Sequence, residues 1–181
     1  MVPSPADWDA RYLASDIPWD LGGASPLIQR LASEHVEADA QIVIPGCGLA
    51  HDVEALAQQG HHVLGLDISP TAVTQANARL RAAELSNAQV ILGDFLDNKA
   101  LPLEGFDVLI EHTCYCAIEP HQRSLYVASA STCLKEGGLL IGAFLDFEGG
   151  GPPYGTSQRA LRAGFSSDFD ILEITAAPEP F

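Results

Sequence analysis

The segment from Gln41 to Asp67 constrains this chain more than any other. An apolar run (Ile42, Val43, Ile44) leads into the turn Gly46-Cys47-Gly48. A helical stretch follows, then a second apolar run, His62-Val63-Leu64-Gly65-Leu66, that ends on Asp67. This order is the first half of a nucleotide-binding βαβ unit. Glycines let the turn pass close to a ligand where a Cβ would collide with it. Asp67 lies 21 residues beyond Gly46, the separation at which an acidic side chain grips ribose hydroxyls. The expected ligand is an adenosine-containing cofactor.

The rest of the chain keeps the same alternation. Ser25-Pro26 opens a helix with Leu27, Ile28 and Leu31 on its apolar side, because serine caps well and proline suits the first helical position. Strands are expected at 41–45, 61–67, 88–92, 106–111, 138–144 and 169–174. Helices are expected from His51 to Gln59, from Ser69-Pro70 onward, from Pro120 to a stop at Gly137, and from Thr156 to Ala163. Leu125, Ala128 or Ser129, and Leu134 would form the core side of the helix that starts at Pro120. Strands alternating with helices predict an α/β, Rossmann-like fold, a mostly parallel doubly wound sheet with helices on both faces. The chain reads as one domain over residues 1–181. Residues 1–36 are expected to form an N-terminal segment, and 41–181 the Rossmann-like core.

Composition narrows the partners. A net charge of −15 with nine scattered basic residues gives no stripe for phosphates, which argues against nucleic acid and anionic membranes. The N-terminus lacks the charged and apolar regions of a secretion signal, and the longest apolar run is too short to span a bilayer. A cytoplasmic protein is expected, as monomer or homodimer. Cys47, Cys114, Cys116 and Cys133 each lie in or beside apolar segments and read as buried free thiols. His112, Cys114 and Cys116 are too closely spaced for the usual zinc pattern, and no fourth ligand is evident.

A lone Gly-x-Gly does not choose the cofactor, and here Ala50-His51 stands where a dinucleotide fingerprint prefers a third glycine. Gly93-Asp94-Phe95 at the end of the third strand is more telling. Asp94 suits an adenine amine and Phe95 can stack on the ring. An acidic site also suits a sulfonium cation bearing an amino group and has no pyrophosphate to neutralise. S-adenosyl-L-methionine is therefore favoured over a nicotinamide dinucleotide.

Taken together, several motifs resemble the thiopurine S-methyltransferase superfamily, in its halide and thiol methyltransferase branch. They are Trp8-x-x-x-Tyr12, Pro18-Trp19-Asp20-x-Gly22, Ile44-Pro45-Gly46-Cys47-Gly48 with His51-Asp52-Val53, Leu66-Asp67-Ile68-Ser69, Cys116-Ala117-Ile118-Glu119-Pro120 and Gly151-Pro152-Pro153-Tyr154. The resemblance runs from Trp8 to about Ile174. It implies a class I methyltransferase acting on small soft nucleophiles: thiols, sulfide, halides, or selenium and tellurium species. It also implies that Trp8, Tyr12 and Trp19 close over the cofactor, and that Gly46, Asp67, Asp94, Phe95 and His112 help to form its pocket. Gly48, Ile68 and Glu111 adjoin these positions and belong to the same expected pocket. Two departures stand out. Tyr12 replaces a tryptophan of some relatives, and the basic segment that forms a last antiparallel strand is absent, which deprives a sixth strand of its partner.

Methyl transfer needs alignment and desolvation more than acid–base power. His112 is the candidate to accept a thiol proton or orient a substrate, with a purely structural hydrogen bond as the alternative. Tyr115 is a second catalytic candidate, which either lines the acceptor pocket or only packs. Trp19, Tyr115 and Tyr154 are the expected acceptor-side residues, Tyr154 as a lid in the Gly-Pro-Pro loop or as part of a rigid turn. A non-catalytic cofactor-binding protein and a nicotinamide oxidoreductase are the alternative readings.

Overall fold

A computed structural model describes residues 3–97 and 103–177. Five strands, β1 (Gln41–Pro45), β2 (His62–Asp67), β3 (Ala88–Leu92), β4 (Phe106–His112) and β5 (Leu134–Ala143), form one sheet in the order β3-β2-β1-β4-β5. Every pairing is parallel. The helices are α1 (Pro5–Leu13), α2 (Pro26–His35), α3 (His51–Gln58), α4 (Pro70–Ala82), α5 (Arg123–Cys133) and α6 (Gln158–Phe165). The order reverses between β1 and β4, so their C-terminal ends open a crevice, the usual place for a ligand in such sheets.

Period-two alternation splits the core into two layers. Ile42, Ile44, Val108 and Ile110 pack with Val53, Leu56 and Leu80 on one face. Val43 and Leu109 pack with Tyr126, Val127, Leu161 and Phe165 on the other. All four β1 positions after Gln41 are buried, and each large aliphatic side chain so buried contributes about 1.5–3 kcal/mol. Helix starts follow local chemistry. Ser25 and Ser69 accept the backbone N–H groups of Ile28 and Ala72, and proline occupies the first turn of both α2 and α4.

Four expectations are corrected. The chain enters the helix at 120 through a 3₁₀ turn, Pro120–Gln122, and α5 buries Tyr126, Val127, Ser129, Ala130 and Cys133. Leu125 is left half exposed. A 3₁₀ turn advances by three residues rather than 3.6, which rotates the apolar face. The helix does not run to Gly137. Strand β5 begins at Leu134, and an irregularity between the pairs Phe106–Leu134 and Val108–Leu139 absorbs the extra residues, with Gly137 at φ +77°. The last helix is capped by Ser157 rather than Thr156. Residues 169–174 form no strand. Phe169, Ile171 and Ile174 pack on the second core layer while Leu172 is 83% exposed. Alternation records that one side is buried, and a ladder needs a facing edge as well.

Candidate active site

Helix α1 brings the N-terminal aromatics over the β1 turn. Asp9 fastens it, its Oδ1 accepting the Ser69 hydroxyl at 2.6 Å and the Thr71 N–H at 2.8 Å. Trp19 then meets Trp8 and Tyr12 edge-on, with centroids 5.4 and 5.9 Å apart, and the Arg11 guanidinium lies 4.3 Å from the centre of its ring. Tyr12 and Trp19 line a cleft open to solvent, together with the turn Gly46-Cys47-Gly48, Asp20, His51, Asp52 and His112. Trp8 supports Trp19 from the side. Burial and the nearby Asp67 charge push the Tyr12 phenol well up, so it stays protonated.

The turn needs its glycines. Gly46 and Gly48 have φ of +59° and +52°, and an added Cβ would stand 2.9 Å from the Cys114 sulfur and the Tyr12 hydroxyl respectively. Asp67 is 6% exposed. Its Oδ2 accepts the Gly48 N–H and its Oδ1 the Ser69 N–H, both at 2.9 Å. Burial nonetheless pushes its carboxyl up, against these bonds and one from the Ile68 backbone. The acid at the end of β2 is thereby locked to the glycine turn at the end of β1.

His112, the last residue of β4, places Nδ1 2.6 Å from Asp52 Oδ2. Asp52 Oδ1 accepts the Ser25 N–H at 2.8 Å, so one carboxylate joins α3, β4 and the start of α2. A second pair, His51 Nε2 and Asp20 Oδ1, is separated by 3.0 Å. Asp20, His51 and Asp52 were not singled out as site residues in the sequence. The available signal was His51-Asp52, three and four residues past Gly48, where the first turn of α3 faces the crevice.

Other expected site residues lie elsewhere. Glu111 is fully buried, its Oε1 taking the Tyr115 N–H and its Oε2 the Tyr126 hydroxyl. It braces the core beneath the cleft and does not line it. Tyr115 is 4% exposed and packs against Tyr126 and Phe144, with Arg123 over its ring. Phe95 turns into the core, 5.1 Å from Tyr126, and does not offer a free face. Asp94 is exposed and accepts the Leu96 N–H. Tyr154 donates its hydroxyl to Glu119 and its N–H to the Cys116 carbonyl, while Arg123 holds its carbonyl. It is anchored in the 3₁₀ side of the fold, outside the cleft lining. The four thiols are free, and burial raises the pKa of each. Among the described residues no three metal-ligating side chains gather, and no helix is long and apolar enough to cross a membrane.

The sequence model of the thiopurine S-methyltransferase family matches residues 4–178. The chain belongs to this family. It is 36% identical over 159 residues to "Probable thiol methyltransferase 2" of Arabidopsis thaliana, covering 85% of this chain and 69% of that protein. It is 34% identical to thiocyanate methyltransferase 1 of the same plant, over 81% of this chain and 65% of the relative's length. Among solved structures, one from a study of disulfide-to-thioacetal conversion during echinomycin biosynthesis superposes with a TM-score of 0.78 at 24% identity, covering 90% of this chain and 78% of that one. A TehB-like methyltransferase of Corynebacterium glutamicum superposes with a TM-score of 0.67 at 20% identity, over 91% and 83% of the two chains. These two likenesses concern the fold.

As a member of the thiopurine S-methyltransferase family, the chain is an S-adenosylmethionine-dependent methyltransferase. Its residues fit that cofactor. Two positive-φ glycines leave a cradle that a Cβ would fill. The described residues lining the cleft supply carboxylates and aromatic rings and include no lysine or arginine, a set suited to a cation with hydroxyl and amino groups.

Proposed function

We propose that this enzyme methylates a small soft nucleophile, a thiol, sulfide, halide, or selenium or tellurium species, by in-line displacement. The observation that carries the reading is the cleft itself, roofed by Tyr12 and Trp19, floored by the Gly46–Gly48 turn and edged by His112. S-adenosylmethionine, when bound, supplies a methyl group already activated on a sulfonium.

The protein's share is binding, alignment and exclusion of water. Asp67, fixed by the Gly48 and Ser69 N–H groups, holds ribose hydroxyls, with Ile68 beside it. Asp94, exposed just past the end of β3 and outside the cleft lining, is the proposed partner of an adenine that extends beyond the cleft. Tyr12 and Trp19 cover the cation and keep water from the acceptor. Holding a nucleophile within about 3–3.5 Å of the reacting carbon accounts for several powers of ten in rate. His112, steadied by Asp52, orients the acceptor and takes a proton where one must leave.

The test is an acceptor panel (iodide, thiocyanate, sulfide, methanethiol) with mass-spectrometric detection of methylated volatiles in the headspace. The reading predicts cofactor-dependent product from at least one acceptor. Tight cofactor binding with no product from any of them would refute it.

A further inference from the structure

The aromatic roof is tightly bound within itself and tied to the rest of the fold at few points. Trp8 and Tyr12 meet Trp19 edge-on. The Arg11 guanidinium lies over the Trp19 ring and is paired with Asp16 at 3.1 Å. These contacts join α1 to the loop that follows it. Tyr12, Trp19, Asp20 and Leu21 form one wall of the cleft, and the Gly46–Gly48 turn, His51, Asp52 and His112 form the other. A molecule held between the walls leaves when they part.

Two carboxylates carry the described hydrogen bonds and ion pairs from residues 4–24 to the rest of the fold. Asp20 Oδ1 lies 3.0 Å from Nε2 of His51, the first residue of α3. That nitrogen is buried yet makes no aligned hydrogen bond, so this tie rests on charge and is weak while the imidazole is neutral. Asp9 Oδ1 takes the Ser69 hydroxyl at 2.6 Å and the Thr71 N–H at 2.8 Å, at the start of α4. This second tie is the stronger. It consists of two charge-assisted bonds, and the carboxylate sits where the α4 dipole favours an anion. Ser69 also joins the tie to the donor site, because its N–H goes to Asp67 Oδ1 at 2.9 Å. The clamp on the roof and the acid assigned to the ribose therefore meet in one residue. Asp9 itself does not line the cleft.

Resting on the function proposed above, we infer that Asp9 is a positioning residue for the methyl donor. By clamping α1 to the start of α4 it holds the roof against the opposite wall. It thereby sets how long S-adenosylmethionine, and S-adenosylhomocysteine after transfer, stays in the cleft.

The experiment measures affinity by isothermal titration and release rate by stopped-flow displacement, both with S-adenosylhomocysteine. It uses the wild type, Asp9→Asn, Asp9→Ala, Trp19→Ala and the double variant Asp9→Ala/Trp19→Ala. Melting curves confirm folding, and Asp9→Asn, which keeps an oxygen for Ser69 but loses the charge, is the milder change. Asp9→Ala is expected to bind about tenfold more weakly and to release the ligand correspondingly faster, with Asp9→Asn between it and the wild type. In the Trp19→Ala background the same change at Asp9 should cost about threefold or less, because the roof that it clamps is already broken. Trp8 and Trp19 are the two tryptophans of the chain, so acrylamide quenching of the cofactor-free protein reads the roof directly and should rise in Asp9→Ala. Three results would overturn the inference while leaving the methyltransferase reading intact. They are an unchanged release rate, unchanged quenching, or an equal loss with and without Trp19, the last meaning that Asp9 acts through Ser69 on Asp67 instead of through the roof. Absence of S-adenosylhomocysteine binding to the wild type would overturn both.

Discussion

Replacing Glu111 by glutamine changes how stability depends on pH. Glu111 is fully buried beneath the cleft. Burial pushes its carboxyl from 4.5 up to about 7, while hydrogen bonds from Tyr126 and Tyr115 and the charge of His112 pull the other way. A carboxyl whose folded pKa exceeds its unfolded value binds more protons when folded in the window between the two. Stability from this group therefore falls as pH rises through that window. Between pH of about 5.5 and about 8 the loss amounts to about 2 kcal/mol. In Glu111→Gln the amide oxygen still accepts the Tyr115 N–H and the amide nitrogen donates to the Tyr126 hydroxyl, with nothing to ionise. Urea unfolding at both pH values measures the difference. With a slope of about 2 kcal/mol per molar urea, the wild-type midpoint should drop by about 1 M more than the variant's on going to the higher pH. Other titrating groups are common to both proteins and cancel in the comparison. Parallel shifts, or a larger drop in the variant, would refute the assignment of a strained buried acid under the site.

Two further outcomes follow from packing and anchoring. Gly65→Ala puts a Cβ 2.6 Å from the Cys47 sulfur and 3.0 and 3.1 Å from methyls of Val90 and Val53. It should cost about 1–3 kcal/mol in thermal or urea unfolding. Tyr154→Phe removes only a 3.3 Å bond to Glu119, so stability should change by less than about 1 kcal/mol and steady-state kcat/KM should stay within about twofold. A larger kinetic loss would return Tyr154 to the acceptor site.

The parallel sheet was legible because its strands are short and apolar, and those at β2, β4 and β5 lead to a helix or 3₁₀ turn that opens on serine or proline. The glycine turn and Asp67 were legible because backbone conformation and spacing limit which residue types can stand there. The aromatic roof was readable only as the motif Trp8-x-x-x-Tyr12, and its contact with Trp19 depends on Asp9 reaching Ser69 and Thr71 across 60 residues of chain, a pairing that no periodicity records. The same holds for His112 and Asp52, which are brought together only when β4 is inserted beside β1. The placement of Tyr115 and Phe95 was not legible, because an aromatic next to a strand end reads alike whether it faces the cleft or the core. In both cases the deciding partner is Tyr126, on a helix whose face was displaced by its 3₁₀ entry.

In the proposed function, the Gly46–Gly48 turn and Asp67 together hold the sugar of the methyl donor. Isothermal titration of S-adenosylhomocysteine into the wild type and Asp67→Asn tests it most directly. Asparagine keeps one acceptor for the backbone but loses the charge that strengthens bonds from ribose hydroxyls. One site is expected in the wild type, with an affinity lower by about tenfold or more in the variant, from charge-assisted bonds of about 1.5–3 kcal/mol. Equal affinities in two folded proteins, or no binding to the wild type, would contradict it.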